Sequence, residues 1–289
     1  MAHTHDGIDW TSRLVAMRRT DEVEAEVNCW VADRLVDELP DGATVIDVGS
    51  GSGGMSAAFA AALAVRGGGR VVLVDAVPEL QAAASEAVAA VAGDKVELVA
   101  VLADAADPAL ADHVPAGDLV WASRVVHHLP DERQGVAGLV RLLNPGGRLA
   151  LAEGGLTTRC LPWDIGLGEP GLQDRLVAAQ TAWFADMRAG IEGVVRMPFG
   201  WNRALAEAGL TDVGAFSYLV DLPAPASPAV RESVADWLAW MARVGEDRLS
   251  ASDLDALARL MDRDGPDWVG GRDDVFVLSA NTIHRGRAA

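Results

Sequence analysis

Cysteine occurs only twice in 289 residues, at Cys29 and Cys160, and never as a CxxC pair. So small a supply excludes a disulfide scaffold, argues against a structural zinc site and suits a reducing, cytoplasmic compartment. Lysine occurs once, at Lys95, and the 24 basic side chains face 42 acidic ones, a net charge of −18. A nucleic-acid partner needs a basic surface to release phosphate counterions, so that class is excluded, and a polyanionic substrate is disfavoured with it. No apolar run reaches the roughly 20 residues of a membrane span, and Met1 to Trp10 lack the charged-then-apolar pattern of a secretory leader. Aromatic residues make up 5% of the chain, with a single tyrosine but nine tryptophans. What is present is an apolar half, 50% of residues, enough for a sizeable core and too much for a disordered or collagen-like chain. The balance points to an enzyme acting on a small neutral or cationic molecule.

The hydrophobic pattern orders the chain into elements. Val23, Val27, Trp30, Val31, Leu35 and Leu39 recur at three- and four-residue steps, which predicts a helix over Glu22 to Leu39, stopped by Pro40-Asp41-Gly42. Strand and helix then alternate as in parallel βαβ units. Strands are expected at Thr44 to Val48, Arg70 to Asp75, Val96 to Leu102, Asp118 to Ala122 and Arg148 to Glu153. Helices are expected at Met55 to Val65, Pro78 to Ala92 and Glu132 to Leu143, with a turn at Asn144-Pro145-Gly146-Gly147. Beyond Glu153 the alternation breaks. An amphipathic helix through Leu172, Leu176, Trp183 and Met187 sits in an insert, a helix at Trp201 to Ala208 and a strand at Val213 to Val220 follow, and two further helical stripes precede a last strand at Val275 to Ser279.

The first strand runs into Val45-Ile46-Asp47-Val48-Gly49-Ser50-Gly51-Ser52-Gly53-Gly54, a glycine loop that opens a helix. Glycine lets the backbone turn sharply and leaves its amides bare toward a ligand. Gly49, Gly51 and Gly54 also fit the dinucleotide pattern GxGxxG, which is weak by itself. Asp47, two residues before the glycines, would repel a pyrophosphate and suits an ammonium or sulfonium group. Asp75 ends the second strand, where a carboxylate takes ribose hydroxyls. Asp104 follows the third, where an acceptor could meet an adenine amino group, although Asp107-Pro108 beside it also reads as a turn.

Taken in order, VIDVGSGSG, VVLVDAVP, LADAAD, GDLVWASRVVHHLPD and LLNPGGRLALAE resemble the five motifs of the class I S-adenosylmethionine-dependent methyltransferases, with ubiquinone/menaquinone-type relatives among them. The resemblance implies an α/β, Rossmann-like sheet of seven mostly parallel strands with helices on both faces, carrying helical cap insertions. It implies S-adenosylmethionine as cofactor, the methionine part held by Asp47, Gly49, Ser50, Gly51 and Gly53, the ribose by Asp75 with Ala76, the adenine by Asp104 with Ala105, and Ser123 facing the methionine end. The expected organisation is an N-terminal helical arm (1–43), a cofactor-binding core (44–153), a helical insert acting as substrate lid (154–198), a core continuation (199–220), a second helical insert (221–270), and the last strand and tail (271–289). The second insert separates the sixth strand from the seventh, a departure from the family's usual short hairpin, and serves either as a lid or as a dimer surface.

Methyl transfer is an in-line displacement from an already activated donor, so a protein base is needed only when the acceptor holds a proton at the moment of attack. His127 and His128, just after the fourth strand, are the candidate catalytic residues, since neutral imidazole accepts protons near pH 7. The HHLPD run is common among the relatives, where one histidine often packs or caps a helix. No residue spacing suggests a metal site; His3 and His5 belong to the terminus. Candidate substrate contacts are Trp10 in the arm, Glu153 at the end of the fifth strand, and Trp163, Trp183 and Trp201. Tryptophans gathered in the two inserts would line an aromatic pocket, which suits a planar aromatic or heteroaromatic acceptor. An arginine- and alanine-rich chain with helical inserts is similar to actinobacterial natural-product methyltransferases, some of which methylate indoles. The alternatives are a quinone or polyketide O- or C-methyltransferase, a cofactor-binding module without catalysis, and an NAD-dependent oxidoreductase. The expected partner is a small-molecule substrate, without nucleic acid or membrane, and a homodimer is allowed.

Overall fold

Residues 10–289 are described by a computed structural model, the side chains of Thr11 and Ser12 excepted; His3 and His5 lie outside the described residues. In chain order the elements are α1 (Trp10–Val23), α2 (Ala25–Val36), β1 (Thr44–Val48), α3 (Gly54–Val65), β2 (Gly69–Asp75), α4 (Pro78–Ala92), β3 (Val96–Leu102), α5 (Leu110–His113), β4 (Gly117–Ser123), α6 (Glu132–Val140) and β5 (Leu143–Arg159). They continue with α7 (Leu172–Ala189), α8 (Trp201–Glu207), β6 (Thr211–Leu222), α9 (Pro228–Gly245), α10 (Ala251–Met261) and β7 (Val277–Arg287). The seven strands form one sheet in the order β3-β2-β1-β4-β5-β7-β6. Pairing is parallel from β3 through β5, for example Val45 beside both Val71 and Leu119. This is the Rossmann-like, mostly parallel arrangement that the sequence implies.

The chain divides into two units. Among the described residues the first comprises 10–154, 192–218 and 281–289. Its central strands are buried on both faces, which is why they read as continuous apolar runs. Val45, Val71, Leu73, Leu119 and Trp121 point into one core with Leu35, Phe59 and Leu63 from the helices. Ile46, Val72, Val74, Val120 and Leu149 point into the other with Leu110, Val136, Leu139 and Leu205. Phe59 meets Trp121 edge to face at 5.7 Å. With both faces closed, polar chemistry has room only where the strands end.

The second unit comprises residues 155–191 and 219–280. Of the two helical stripes the sequence suggests, Val230, Val234, Met241 and Val244 on α9 and Leu257 on α10 are buried, while Trp237, Leu254 and Met261 are half-buried and Leu238 and Leu260 complete the buried faces. Ser227 and Ser250 cap the two helices by accepting from Val230 N and Asp253 N, a favourable start for each. Arg175 on α7 forks onto the buried Asp253, with Nη2 2.7 Å from Oδ1.

Four local expectations change. The helix read over Glu22 to Leu39 is broken at Glu24 and ends at Val36, with α1 ahead of it in the expected helical arm; α1 packs on α3 and α4 while α2 packs chiefly on α3. Helix α6 stops at Val140. The turn Asn144 to Gly147 lies inside β5, where the register with β4 shifts and Gly146 adopts φ 75°. The last strand runs from Val277 to Arg287 because its polar run alternates, with Ile283 in the core and Thr282 bonded to Ser217 at 2.9 Å on the other face.

Gly53 tests the loop's packing. Its φ is 92°, and a Cβ there would lie 2.5 Å from Ala84 Cα. Gly53→Ala is expected to destabilise the chain by roughly 2–5 kcal/mol through backbone strain and overpacking, read by urea denaturation.

Candidate functional site

The glycine loop is shaped by what its backbone amides must find. Gly49 N and Ser50 N both donate to Val74 O, at 2.7 and 3.3 Å. Gly51 N donates to Asp75 Oδ2 at 3.0 Å, and Asp75 Oδ1 accepts from Val77 N at 2.9 Å. The carboxylate at the end of β2 therefore fixes both the loop and the start of α4. Gly49, Gly51 and Gly53 have φ of 74°, 55° and 92°, a region that favours glycine. Space demands it as well, since a Cβ on Gly49 would fall 2.3 Å from Val125 Cγ2.

Charge gathers around this loop. Asp47 is 2% exposed and accepts from the Ser56 hydroxyl. Burial pushes its carboxyl up to about 7, against the Ser56 bond, and the neighbouring Asp75 and Asp21 push the same way. Asp21 comes from α1, where it accepts from the Ser52 hydroxyl at 2.5 Å; burial raises its pKa too. Met17 of α1 lies against Gly51. Three carboxylates in a mostly buried loop favour a cation. The Ser50 hydroxyl is buried with no hydrogen-bond partner among the described residues, a polar atom that a ligand can satisfy. Acid-rich surroundings and an orphaned hydroxyl fit a zwitterionic, cation-bearing group such as S-adenosylmethionine.

Of the other cofactor candidates, Ala76 and Ala105 are half-buried on their loops. Asp104 accepts from Ala106 N at 2.8 Å in a tight turn, so one of its oxygens is engaged locally. Ser123 is the last residue of β4, paired in register with Ala152.

After β4 the chain makes a single turn of 3-10 helix at Val126–His128. Glu153, 3% exposed on β5, organises it. Its Oε1 accepts from Val125 N and Val126 N at 3.1 and 2.9 Å, and its Oε2 lies 2.7 Å from His127 Nδ1. A carboxylate can only accept, so the assigned tautomer of neutral His127 carries its proton on Nδ1 and leaves Nε2 as the ring's acceptor nitrogen. The His128 ring lies 4.2 Å from that of His127. The structure thus joins His127 with Glu153, which composition had offered only as a substrate contact.

The tryptophans separate. Trp10 begins α1, with Arg13 above its ring at 5.1 Å. Trp201, at the start of α8 in the first unit, packs against the core beneath β4 and β5. Trp163 and Trp183 belong to the second unit, the former 71% exposed, the latter edge to face with Trp240 at 6.0 Å. In that unit a cavity of about 510 Å³ is lined by Arg175, Ala179, Arg248 and Leu249, and both arginines are held in ion pairs. Sequence reasoning missed Asp21: it lay in the helical arm expected over 1–43, but nothing local ties it to Ser52 of the glycine loop. Among the described residues no helix is long and apolar enough to cross a membrane, and no group of His, Cys, Asp and Glu is placed to hold a metal ion.

Two outcomes follow. Asp47 keeps its proton in the folded chain to about pH 7 but releases it near its ordinary value when unfolded. That contribution to stability is complete below the ordinary carboxylate range and fades as pH rises toward 7. Melting temperature in the absence of ligand should fall between about pH 5 and about pH 7.5, and Asp47→Asn should flatten the slope. Asp75→Ala should weaken S-adenosylhomocysteine binding at least about tenfold by calorimetry, because loop and ligand lose one acceptor together.

Comparison with known proteins agrees with these motifs. Residues 46–149 match a family model described as a methyltransferase domain. Among solved structures, a candidate methyltransferase from Bacillus halodurans C-125 is 16% identical, over 89% of this chain and 97% of that one, with a TM-score of 0.49. An O-methyltransferase family protein from Burkholderia thailandensis is 22% identical over 74% and 57%, with a TM-score of 0.47. Phosphoethanolamine N-methyltransferase 2 from Haemonchus contortus, in complex with phosphomonomethylethanolamine and S-adenosylhomocysteine, is 16% identical over 91% and 53%, with a TM-score of 0.48.

Proposed function

We propose that the chain is a class I, S-adenosylmethionine-dependent methyltransferase, in keeping with the methyltransferase-domain match over residues 46–149, and that it methylates a small aromatic or heteroaromatic acceptor, an indole-bearing one included. The observation that carries the reading is the acid-rich glycine loop, with Gly51 N on Asp75, Asp47 buried, and the Ser50 hydroxyl left for a ligand. In this reading Asp47, Ser50 and the glycine loop hold the methionine part, Asp75 and Ala76 the ribose, and Asp104 and Ala105 the adenine side. S-adenosylmethionine, when bound, supplies a methyl group on a positively charged sulfur.

The chain's own task is to place the acceptor and take its proton. Glu153 holds His127 by Nδ1 at 2.7 Å; this orients Nε2 as the base that receives the proton when the acceptor becomes bonded to the methyl carbon. His128 lies beside it with its ring tilted and adds shape. The aromatic preference rests on composition, nine tryptophans in a chain otherwise poor in aromatics. Stacking on indole rings suits a planar acceptor.

The test is a screen of simple indoles, tryptophan-derived cyclic dipeptides, catechols and quinols with S-adenosylmethionine, read by mass spectrometry. A methylated aromatic product is expected, and His127→Ala should lower kcat by about 100-fold or more while S-adenosylhomocysteine affinity holds. Intact turnover with alanine at both His127 and His128 would leave catalysis to positioning alone.

A further inference from the structure

A second polar cluster lies in the first unit, built from four separate elements. Glu24 sits at the break between α1 and α2, Arg124 follows β4, Tyr218 lies on β6 and Asn281 on β7. Arg124 has φ 56°, one of two non-glycine residues with positive φ among those described. Its backbone N donates to Ala152 O at 3.1 Å and its Nη2 to Asn281 Oδ1 at 3.3 Å. A long side chain in the left-handed region is strained, and such strain gathers at functional positions. Asn281 also hydrogen-bonds the Tyr218 hydroxyl, and both Glu24 and Tyr218 sense the Arg124 charge. The Tyr218 ring lies 6.4 Å from Trp30, which is 47% exposed and meets Phe216 edge to face at 6.0 Å. The cluster is half-open, with Arg124 exposed and Glu24, Tyr218 and Asn281 intermediate. It begins three residues before His127 and one residue after Ser123.

The chemistry of the set is mixed. Arg124 offers donors, Glu24 acceptors, Tyr218 and Asn281 either. A purely anionic group would gain from Arg124 and lose against Glu24, and a cation would do the reverse. A neutral group with a donor beside an acceptor satisfies both, and a secondary amide edge is the simplest such group. We propose that Glu24, Arg124, Tyr218 and Asn281 form a binding subsite for an amide-like polar edge of the acceptor, flanked by the Trp30–Phe216 aromatic pair. The proposal rests on the methyltransferase reading above for its identity as an acceptor subsite. Glu24 and Tyr218 give it selectivity, and Arg124 spends backbone strain to face them.

The probe is δ-valerolactam, a cyclic secondary amide, titrated into the full chain with S-adenosylhomocysteine present and followed by saturation-transfer NMR. The lactam should bind more tightly than N-methyl-δ-valerolactam, which lacks the donor, and than valerate or piperidinium, which carry one charge. Tyr218→Phe, which keeps the ring, and Glu24→Gln, which keeps the shape, should each weaken the lactam by about five- to tenfold. Melting and S-adenosylhomocysteine affinity should stay near wild type in both. No lactam binding, equal binding of its N-methyl analogue, or unchanged affinity in both variants would overturn the subsite. Failure of S-adenosylhomocysteine to bind the wild type would instead overturn the methyltransferase reading, and the lactam titration without it then judges the cluster alone.

Discussion

One hydrogen bond, from Gly51 N to the Asp75 carboxylate, joins the loop after β1 to the end of β2. The same carboxylate takes Val77 N and thereby sets where α4 begins. Without an acceptor there, the amide of Gly51, the middle of the loop's three left-handed glycines, would lose its partner, while Gly49 N keeps Val74 O and Gly53 N keeps Ser50 O. Shape and charge thus come from a single side chain, and the buried Asp47 next to it inherits a field that already favours a cation.

The sheet's two-sided burial explains why so much was legible. Strands sealed on both faces are apolar along most of their length, with Asp47 inside β1 the exception, so their ends stand out in the sequence as polar residues: Asp75 at the end of β2, and Ser123 at the end of β4. Glycines with positive φ announce themselves by residue type. The motif order carried the fold further than any one pattern could, because five moderate signals in sequence leave few topologies open.

What stayed hidden depends on long-range contact. Nothing local says that Asp21 reaches Ser52, or that Glu24, Tyr218 and Asn281 surround Arg124. Those pairings join residues far apart in the chain. The final strand was foreshortened for a related reason. Its polar residues alternate with Ile283, a period that reads as a tail until β6 supplies the partner face. Glu153 was visible as a strand-end acid, but its bond to His127 was not.

Glu153 also sets a limit on how its own role can be dissected by substitution. It accepts from two backbone amides and from His127 at once, so a short replacement would orphan buried donors and confuse folding with chemistry. Glutamine keeps the shape but not the polarity. Its oxygen can remain with Val125 N and Val126 N, while its amide nitrogen would then face His127 Nδ1 as a donor. The imidazole would have to move its proton to Nε2, and that nitrogen would change from acceptor to donor. One atom exchanged in a buried carboxylate would therefore invert the proton-transfer direction of a residue it never replaces.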